Sequence, residues 1–294
     1  MLSILIPVYN YNVYPLVSEL HKQCLECGIN FEILCQDDAS NQIEPDNQSI
    51  NSFKNCHFSK NNSNLGRGKN INFLVEKAQF EWLLIMDCDT FPTKNNFIQD
   101  YVSQINKAEK VVYGGIEYQK EKPANDQLLR WFYGNVRESL SVEKRNSNPN
   151  GNALTSNLLI QKKVFVSNPF EESITKYGYE DLVFLSDLKK KGILVKHIDN
   201  PTYHLGLETS QQFLDKTKIA LENLKLITET TSLDRSESKL LKVSTLLKRL
   251  YLSSIISFIF KKLERKMEGN LLSEKPSLVV FDLYKLGYYC SLKN

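Results

Sequence analysis

The sequence predicts an α/β fold, with a mostly parallel central sheet flanked by helices and a helical extension at the end. Three observations carry that expectation. The run Trp82-Leu83-Leu84-Ile85-Met86 is unbroken apolar and ends in Asp87-Cys88-Asp89, the pattern of a strand covered on both faces in a parallel sheet. Upstream of it, strand-like and helix-like stretches alternate, and strand, helix and strand in that order favour a right-handed parallel crossover. Beyond Gly206 the strand signals cease, and helical periodicity rich in Lys and Arg takes over.

At 294 residues the chain can bury a substantial core, divided here into a domain at 1–206 and a helical, basic extension at 207–294. Lys plus Arg number 37 against 34 Asp plus Glu, so the total charge calls for no nucleic-acid partner, and any basic surface must come from local clustering. The six cysteines are scattered, several of them within apolar runs, which suits free thiols in a reducing compartment. Cys24 and Cys27 have C-x-x-C spacing, but no second pair follows at zinc-site distance. No basic segment or small-residue cleavage site precedes the first apolar run, so the expected location is cytoplasmic.

In order, Ser3-Ile4-Leu5-Ile6-Pro7-Val8 reads as a first strand ending at a loop, since proline cannot donate to a central ladder. Val13, Leu16, Val17, Leu20 and Cys24 recur at helical steps and Gly28 suits a C′ position, giving a helix over 12–27. Phe31-Glu32-Ile33-Leu34-Cys35-Gln36 is a second strand that delivers Asp37 and Asp38 to the same sheet edge as Asp87. A polar loop and a weak strand near 56–58 lead to Asn64-Leu65-Gly66-Arg67-Gly68-Lys69, whose glycines let backbone approach a ligand at the start of a helix. After the strand at 82–86 come a helix over 95–108 and a strand over 111–115. A further strand lies at 156–160, a helix runs from Glu180 to Lys191, and a late strand at 193–198 precedes Pro201 and His204. The polar stretch 146–152 fits a lid beside a site or a plain surface loop.

Side chains on a strand repeat every second residue, so Asp87 and Asp89 can face one side at the strand's carboxyl end, where open α/β sheets bind ligands. Two readings fit that pair. One is a solvated turn; the other is a hard divalent cation, because close carboxylates repel unless a cation lies between them and oxygen ligands favour Mg²⁺ or Mn²⁺. Asp37-Asp38, Glu180-Asp181 and His204 fall at other predicted element ends. A Glu-Asp at a helix start also suits the N-terminal dipole without any catalysis.

Together, Ile4-Leu5-Ile6-Pro7-Val8-Tyr9-Asn10, Gln36-Asp37-Asp38-Ala39-Ser40, Asn64-Leu65-Gly66, Met86-Asp87-Cys88-Asp89 and Gly178-Tyr179-Glu180-Asp181 resemble the inverting family 2 glycosyltransferases of Rossmann-like GT-A fold, of the bacterial surface-polysaccharide type. The resemblance covers residues 1–206. It implies a nucleotide-diphosphate sugar donor, with UDP favoured, a divalent cation and transfer with inversion. Pro7, Val8 and Tyr9 would line the nucleobase pocket. One of Asp37 and Asp38 would meet the base or ribose while the other caps a turn, and Asn64, Arg67 and Lys69 would approach the nucleoside, with a bridge from Arg67 or Lys69 to Asp37 as the competing role. The Asp87-Cys88 step would also border the donor. Asp89 would bind the metal, Asp87 would hold the ribose or a metal-bound water, and Asp181 would be the general base, with Glu180 positioning an acceptor hydroxyl. His204 resembles the family's third metal ligand, and an imidazole tilts the choice from Mg²⁺ toward Mn²⁺.

The family's polymerising members carry a Q-x-x-R-W signature after the Glu-Asp pair. Gln127-Leu128-Leu129-Arg130-Trp131 lies before it and is read as coincidence, so a single sugar is expected to be added to a glycan or lipid-linked glycan. The stretch 239–266 reads as one basic helix with an apolar centre, too short for the roughly 20 residues that cross a bilayer. It fits either an anionic membrane surface, with the protein peripheral on the inner face of the plasma membrane, or packing on the catalytic domain. The rival functions are a GT-A domain that binds without turnover and a sugar-phosphate nucleotidyltransferase.

Overall fold

The computed structural model describes residues 1–42, 44–105, 107–231 and 233–292. Its strands are β1 (Leu2–Val8), β2 (Phe31–Asp37), β3 (Cys56–Lys60), β4 (Trp82–Met86), β5 (Thr90–Pro92), β6 (Val111–Tyr113), β7 (Ile116–Glu117), β8 (Asn157–Gln161), β9 (Lys196–His197) and β10 (Thr202–His204). The helices are α1 (Tyr14–Glu26), α2 (Arg67–Lys77), α3 (Phe97–Val102), α4 (Leu128–Tyr133), α5 (Val142–Asn146), α6 (Lys162–Val166), α7 (Glu180–Lys190), α8 (Ser210–Thr230), α9 (Lys239–Arg249), α10 (Ser253–Leu271) and α11 (Leu278–Ser291).

The main sheet has the order β3-β2-β1-β4-β8-β6-β9. It is parallel except for β8, which runs against both β4 and β6. The apolar run at 82–86 is the middle strand of the seven. Its alternate residues explain the unbroken pattern: Leu84 and Met86 pack with α1 and α3 on one face, while Leu83 and Ile85 pack with α2 and α7 on the other. From β1 the chain builds first toward β3 and then returns to place β4 on the other side. The switch point therefore lies between the carboxyl ends of β1 and β4, where the strand order opens a crevice.

A three-stranded sheet, β5-β10-β7, stands at that edge and pairs His204 with Thr90. The expected helix at 95–108 shortens to α3, and the late strand at 193–198 reduces to the two residues of β9. The single helix expected over 239–266 is two, α9 and α10, bent by 117°. A Schellman closure ends α9: Leu252 N donates to Leu247 O at 2.9 Å, Tyr251 N donates to Lys248 O at 3.2 Å, and Tyr251 is left-handed at φ 55. Such closures ordinarily place glycine at that position, so a tyrosine there gave no stop signal. No single described helix is long and apolar enough to cross a membrane.

Helix α11 was not foreseen. It packs with α8, α10 and α4 through Leu129, Leu214, Phe260, Leu271, Phe281 and Tyr284.

Candidate active site

A cavity of about 490 Å³ opens at the switch point, within the usual size of small-molecule sites. Pro7, Val8 and Tyr9 from the end of β1, Asn64 from the loop before α2 and Arg67 from its first turn, and Asp87, Cys88 and Asp89 after β4 line it, with Glu180 and His204. With Asp38 after β2, six separate segments thus bring eleven of the expected residues to one place.

The two aspartates after β2 divide their work. Asp37 Oδ1 accepts from Ser40 N at 2.9 Å and from its hydroxyl, capping the next turn. Asp38 lines the cavity and accepts from Leu65 N at 2.8 Å and Gly66 N at 2.9 Å, holding the loop that carries Arg67. Lys69 corrects an expectation: it lies outside the cavity wall, and its ammonium is 3.7 Å from Glu172. Residues three apart share a helix face, so Arg67 and Asn70 face the cavity while Lys69 turns away. The bridge to Asp37 is made by neither Arg67 nor Lys69; Lys60 lies 3.9 Å from it.

Arg67 is the electrostatic hub. Its guanidinium reaches Asp87 Oδ1 at 2.6 Å and Asp181 Oδ1 at 2.9 Å. Burial works against its charge, but Asp87, Asp181 and Glu180 more than offset that and hold its pKa above the ordinary range. Asp181 lies behind Arg67, outside the immediate wall, and also accepts from Thr155 N at 3.0 Å and from the Thr155 hydroxyl. Glu180 faces the cavity instead, and its Oε2 is buried with no hydrogen-bond partner among the described residues. Burial, then the adjacent Asp181, raises its pKa. Two consecutive left-handed residues, Gly178 at φ 98 and Tyr179 at φ 71, swing Glu180 inward. Asn223 of α8 fixes that turn by donating to Gly178 O at 2.6 Å and Lys176 O at 2.9 Å.

At the other end of the cavity, Asp89 Oδ2 lies 3.4 Å from His204 Nε2. The β5–β10 pairing sets that approach, and Leu205 N donates to Asp89 O at 2.8 Å. A Cβ at Gly206 would come within 2.4 Å of Asp89 Oδ2, so a larger residue there would push the Asp89 carboxylate from its place beside His204. Burial raises the Asp87 and Asp89 carboxyls, and Arg67 pulls Asp87 back. Two half-buried acids so placed favour a cation between or beside them. Burial, then Arg130, pushes the His204 imidazole down to about 4, so near pH 7 it is neutral, the form that ligates metal. The donors present fit a divalent ion with two protein ligands. No group of three or more His, Cys, Asp or Glu converges on one point among the described residues.

His204 also makes stability depend on pH. Its folded pKa of about 4 lies below its unfolded value near 6.5, so between those values the unfolded chain binds more protons and stability falls as pH falls. The expected loss from this group is about 3 kcal/mol between pH 6.5 and 4, flattening below. Urea midpoints across that window measure it, and His204→Gln should flatten the slope.

Several wall residues escaped the sequence, among them Ile174, Thr175, Lys176, Glu138, Glu208, Phe213 and Lys216. The last two come from α8, so the extension completes the site. Arg130 was dismissed as part of a coincidental motif, yet it lines the cavity, pairs with Glu138 at 3.0 Å and lies over the rings of Tyr118 and Phe213. Trp131 is spent elsewhere, donating to Gln119 O at 2.7 Å.

Three solved structures share the fold. The mannosyltransferase from Pyrobaculum calidifontis in complex with GDP-Man and Mn²⁺ superposes with a TM-score of 0.56 at 12% identity, over 98% of this chain and 84% of that one. Mannosyl-3-phosphoglycerate synthase from Rubrobacter xylanophilus gives 0.54 at 15%, over 78% and 74%. Residues 1–349 of S. aureus TarS give 0.51 at 16%, over 96% and 82%. No curated protein matches in sequence. The profile of Glycosyl transferase family 2 matches residues 3–166, more than half of the chain. By that match, on this GT-A sheet and with these carboxylates at its switch point, the chain belongs to glycosyl transferase family 2.

Proposed function

We propose that the protein is an inverting glycosyltransferase that moves one sugar from a nucleotide-diphosphate sugar, UDP-sugars first, to a saccharide or lipid-linked saccharide acceptor. The observation that carries this reading is the meeting of Asp87, Asp89, Glu180 and His204 around one cavity at the switch point. Pro7, Val8 and Tyr9 form the wall for the base, and Asp38 braces the loop beside it. Arg67, Arg130 and Lys216 supply positive charge for the diphosphate. Asp89 and His204 would hold a divalent ion, Mn²⁺ or Mg²⁺, which when bound offsets charge on the departing nucleoside diphosphate as a Lewis acid.

The acceptor hydroxyl must lose a proton as the new bond forms, and Asp181 takes it. Donor phosphates compete with Asp181 for the Arg67 guanidinium, and a carboxylate released from an ion pair gains basicity. Glu180, with its unpartnered oxygen facing the cavity, accepts a hydrogen bond from the acceptor and aims it.

A thermal-shift screen of UDP- and GDP-sugars with and without Mn²⁺ tests the donor. A ligand at a hundred times its Kd stabilises by about 2.7 kcal/mol, so a matching donor should raise Tm by about 5 °C or more, and by less without Mn²⁺. Absence of any shift, together with no transfer across an acceptor panel, would remove the reading. Release of pyrophosphate from NTP and sugar phosphate would replace it with nucleotidyl transfer.

A further inference from the structure

Helices α9 and α10 carry apolar residues on two sides. The first side packs inward: Leu241 on α9, and Phe260 and Leu271 on α10, are buried. A soluble helix needs only that one stripe. Yet Val243 and Leu246 on α9 and Leu250 at its C-cap form a second, exposed stripe, and Ile255, Phe258, Ile259 and Leu263 continue it along α10 at steps of three and four. Between the stripes stands the bend, whose apex Tyr251 is 91% exposed and held in the left-handed region at φ 55. Non-glycine residues seldom adopt that conformation, and it costs on a bare surface.

Charge accompanies the apolar surface. Across 239–266 the only acidic residue is Glu264. Lys242 and Arg249 fall on the exposed stripe of α9, and Lys262 and Lys266 on that of α10, by their spacing. None of these four forms an ion pair with a described residue. Behind the bend, a polar cleft of about 580 Å³ is lined by Arg235, Lys248 and Lys261 together with Ser253, Ser254 and Ser257, against one carboxylate, Glu229. Cations and hydroxyls around one cleft are phosphate-binding chemistry, and here they border exposed Tyr251 and Phe258.

We propose that the α9–α10 bend docks on an anionic lipid bilayer, with Tyr251 and Phe258 immersed at the headgroup boundary and the cleft between Lys248 and Lys261 taking a phosphate-bearing headgroup. An exposed apolar stripe interleaved with cations that form no ion pair with a described residue, Lys262 lying over the Phe258 ring at 4.4 Å, fits a surface that is itself apolar beneath and negative above. The proposal stands apart from the sugar-transfer reading, because none of these residues lines the active-site cavity.

Co-sedimentation of the full chain with vesicles tests it, using phosphatidylcholine alone or with about one-third phosphatidylglycerol. Binding to the anionic vesicles should be at least tenfold stronger, and should fall as salt screens the charges. Tyr251→Glu with Phe258→Glu should return binding to the phosphatidylcholine level. Lys248→Ser with Lys261→Ser should weaken it about thirtyfold, as two surface cations are worth on an anionic membrane. All four side chains are exposed, so Tm should hold, and it checks the fold of each variant. Equal binding to both vesicle types, or full binding by the Glu variant, would overturn the proposal. So would a wild-type dimer in sedimentation velocity that the Glu variant breaks while vesicles go unbound, since a second copy would then be the occupant.

Discussion

Asp181→Asn should lower kcat for sugar transfer about 10²- to 10⁴-fold, the range of a lost general base, while affinity for the nucleotide sugar stays within a few-fold. The substitution isolates basicity because an amide nearly matches the carboxylate in shape. An asparagine oxygen can still accept from Thr155 N, which now donates to Asp181 at 3.0 Å. What disappears is the charge that pairs with Arg67 at 2.9 Å. Both partners are about a quarter exposed, so this loss should cost stability no more than about 1 kcal/mol, and the folded variant can be assayed directly. Glu180→Gln is the necessary companion. It should raise KM for the acceptor more than it lowers kcat, since Glu180 faces the cavity and aims the hydroxyl. Should Asp181→Asn turn over at the wild-type rate while Glu180→Gln carries the large kcat loss, the base is Glu180. Its unpartnered buried oxygen and raised pKa would then be its credentials.

What the sequence disclosed follows from which interactions are local. The strand at 82–86 announced itself because both of its faces are buried, and its two aspartates sit where the strand stops. Asp37, Asp38, Glu180 and Asp181 were legible for the same reason, each marking an element's end. The partner of Arg67 was not. Its ion pairs join it to residues 20 and 114 positions away, and periodicity carries no information across such distances. Lys69 misled because charge in a glycine-rich loop says nothing of which helix face it will take. Arg130, Phe213 and Lys216 were hidden more deeply, in helices whose own pattern reads only as packing. The bend at Tyr251 was missed because the apolar-basic rhythm runs through it unbroken, and only the backbone turns. That rhythm persists because both helices present the same kind of face outward, whatever lies between them.

Asp89→Ala should remove the metal's contribution outright: transfer falls about 10³-fold, equivalent to roughly 4 kcal/mol at the barrier, and the Mn²⁺-dependent part of the donor's thermal shift disappears. The two aspartates after β4 are not equivalent, and the structure says why. Asp87 gives Oδ1 to Arg67, through Nε at 2.9 Å and Nη2 at 2.6 Å, so its charge is already balanced by protein. Asp89 has no such guanidinium in contact; its nearest charged-group neighbour is the His204 ring at 3.4 Å, neutral near pH 7. A cation arriving with the diphosphate therefore gains most at Asp89. Asp87→Asn should instead strip Arg67 of its closest partner. That variant loses stability and some kcat, yet still shows a donor shift that depends on Mn²⁺. The comparison separates metal binding from folding, since Asp181→Asn must keep the Mn²⁺-dependent shift while Asp89→Ala must lose it. If Asp89→Ala kept that shift and Asp87→Asn lost it, the metal would belong to Asp87. Arg67 would then have to leave Asp87 whenever the donor binds, and the same guanidinium would be released from both carboxylates at once.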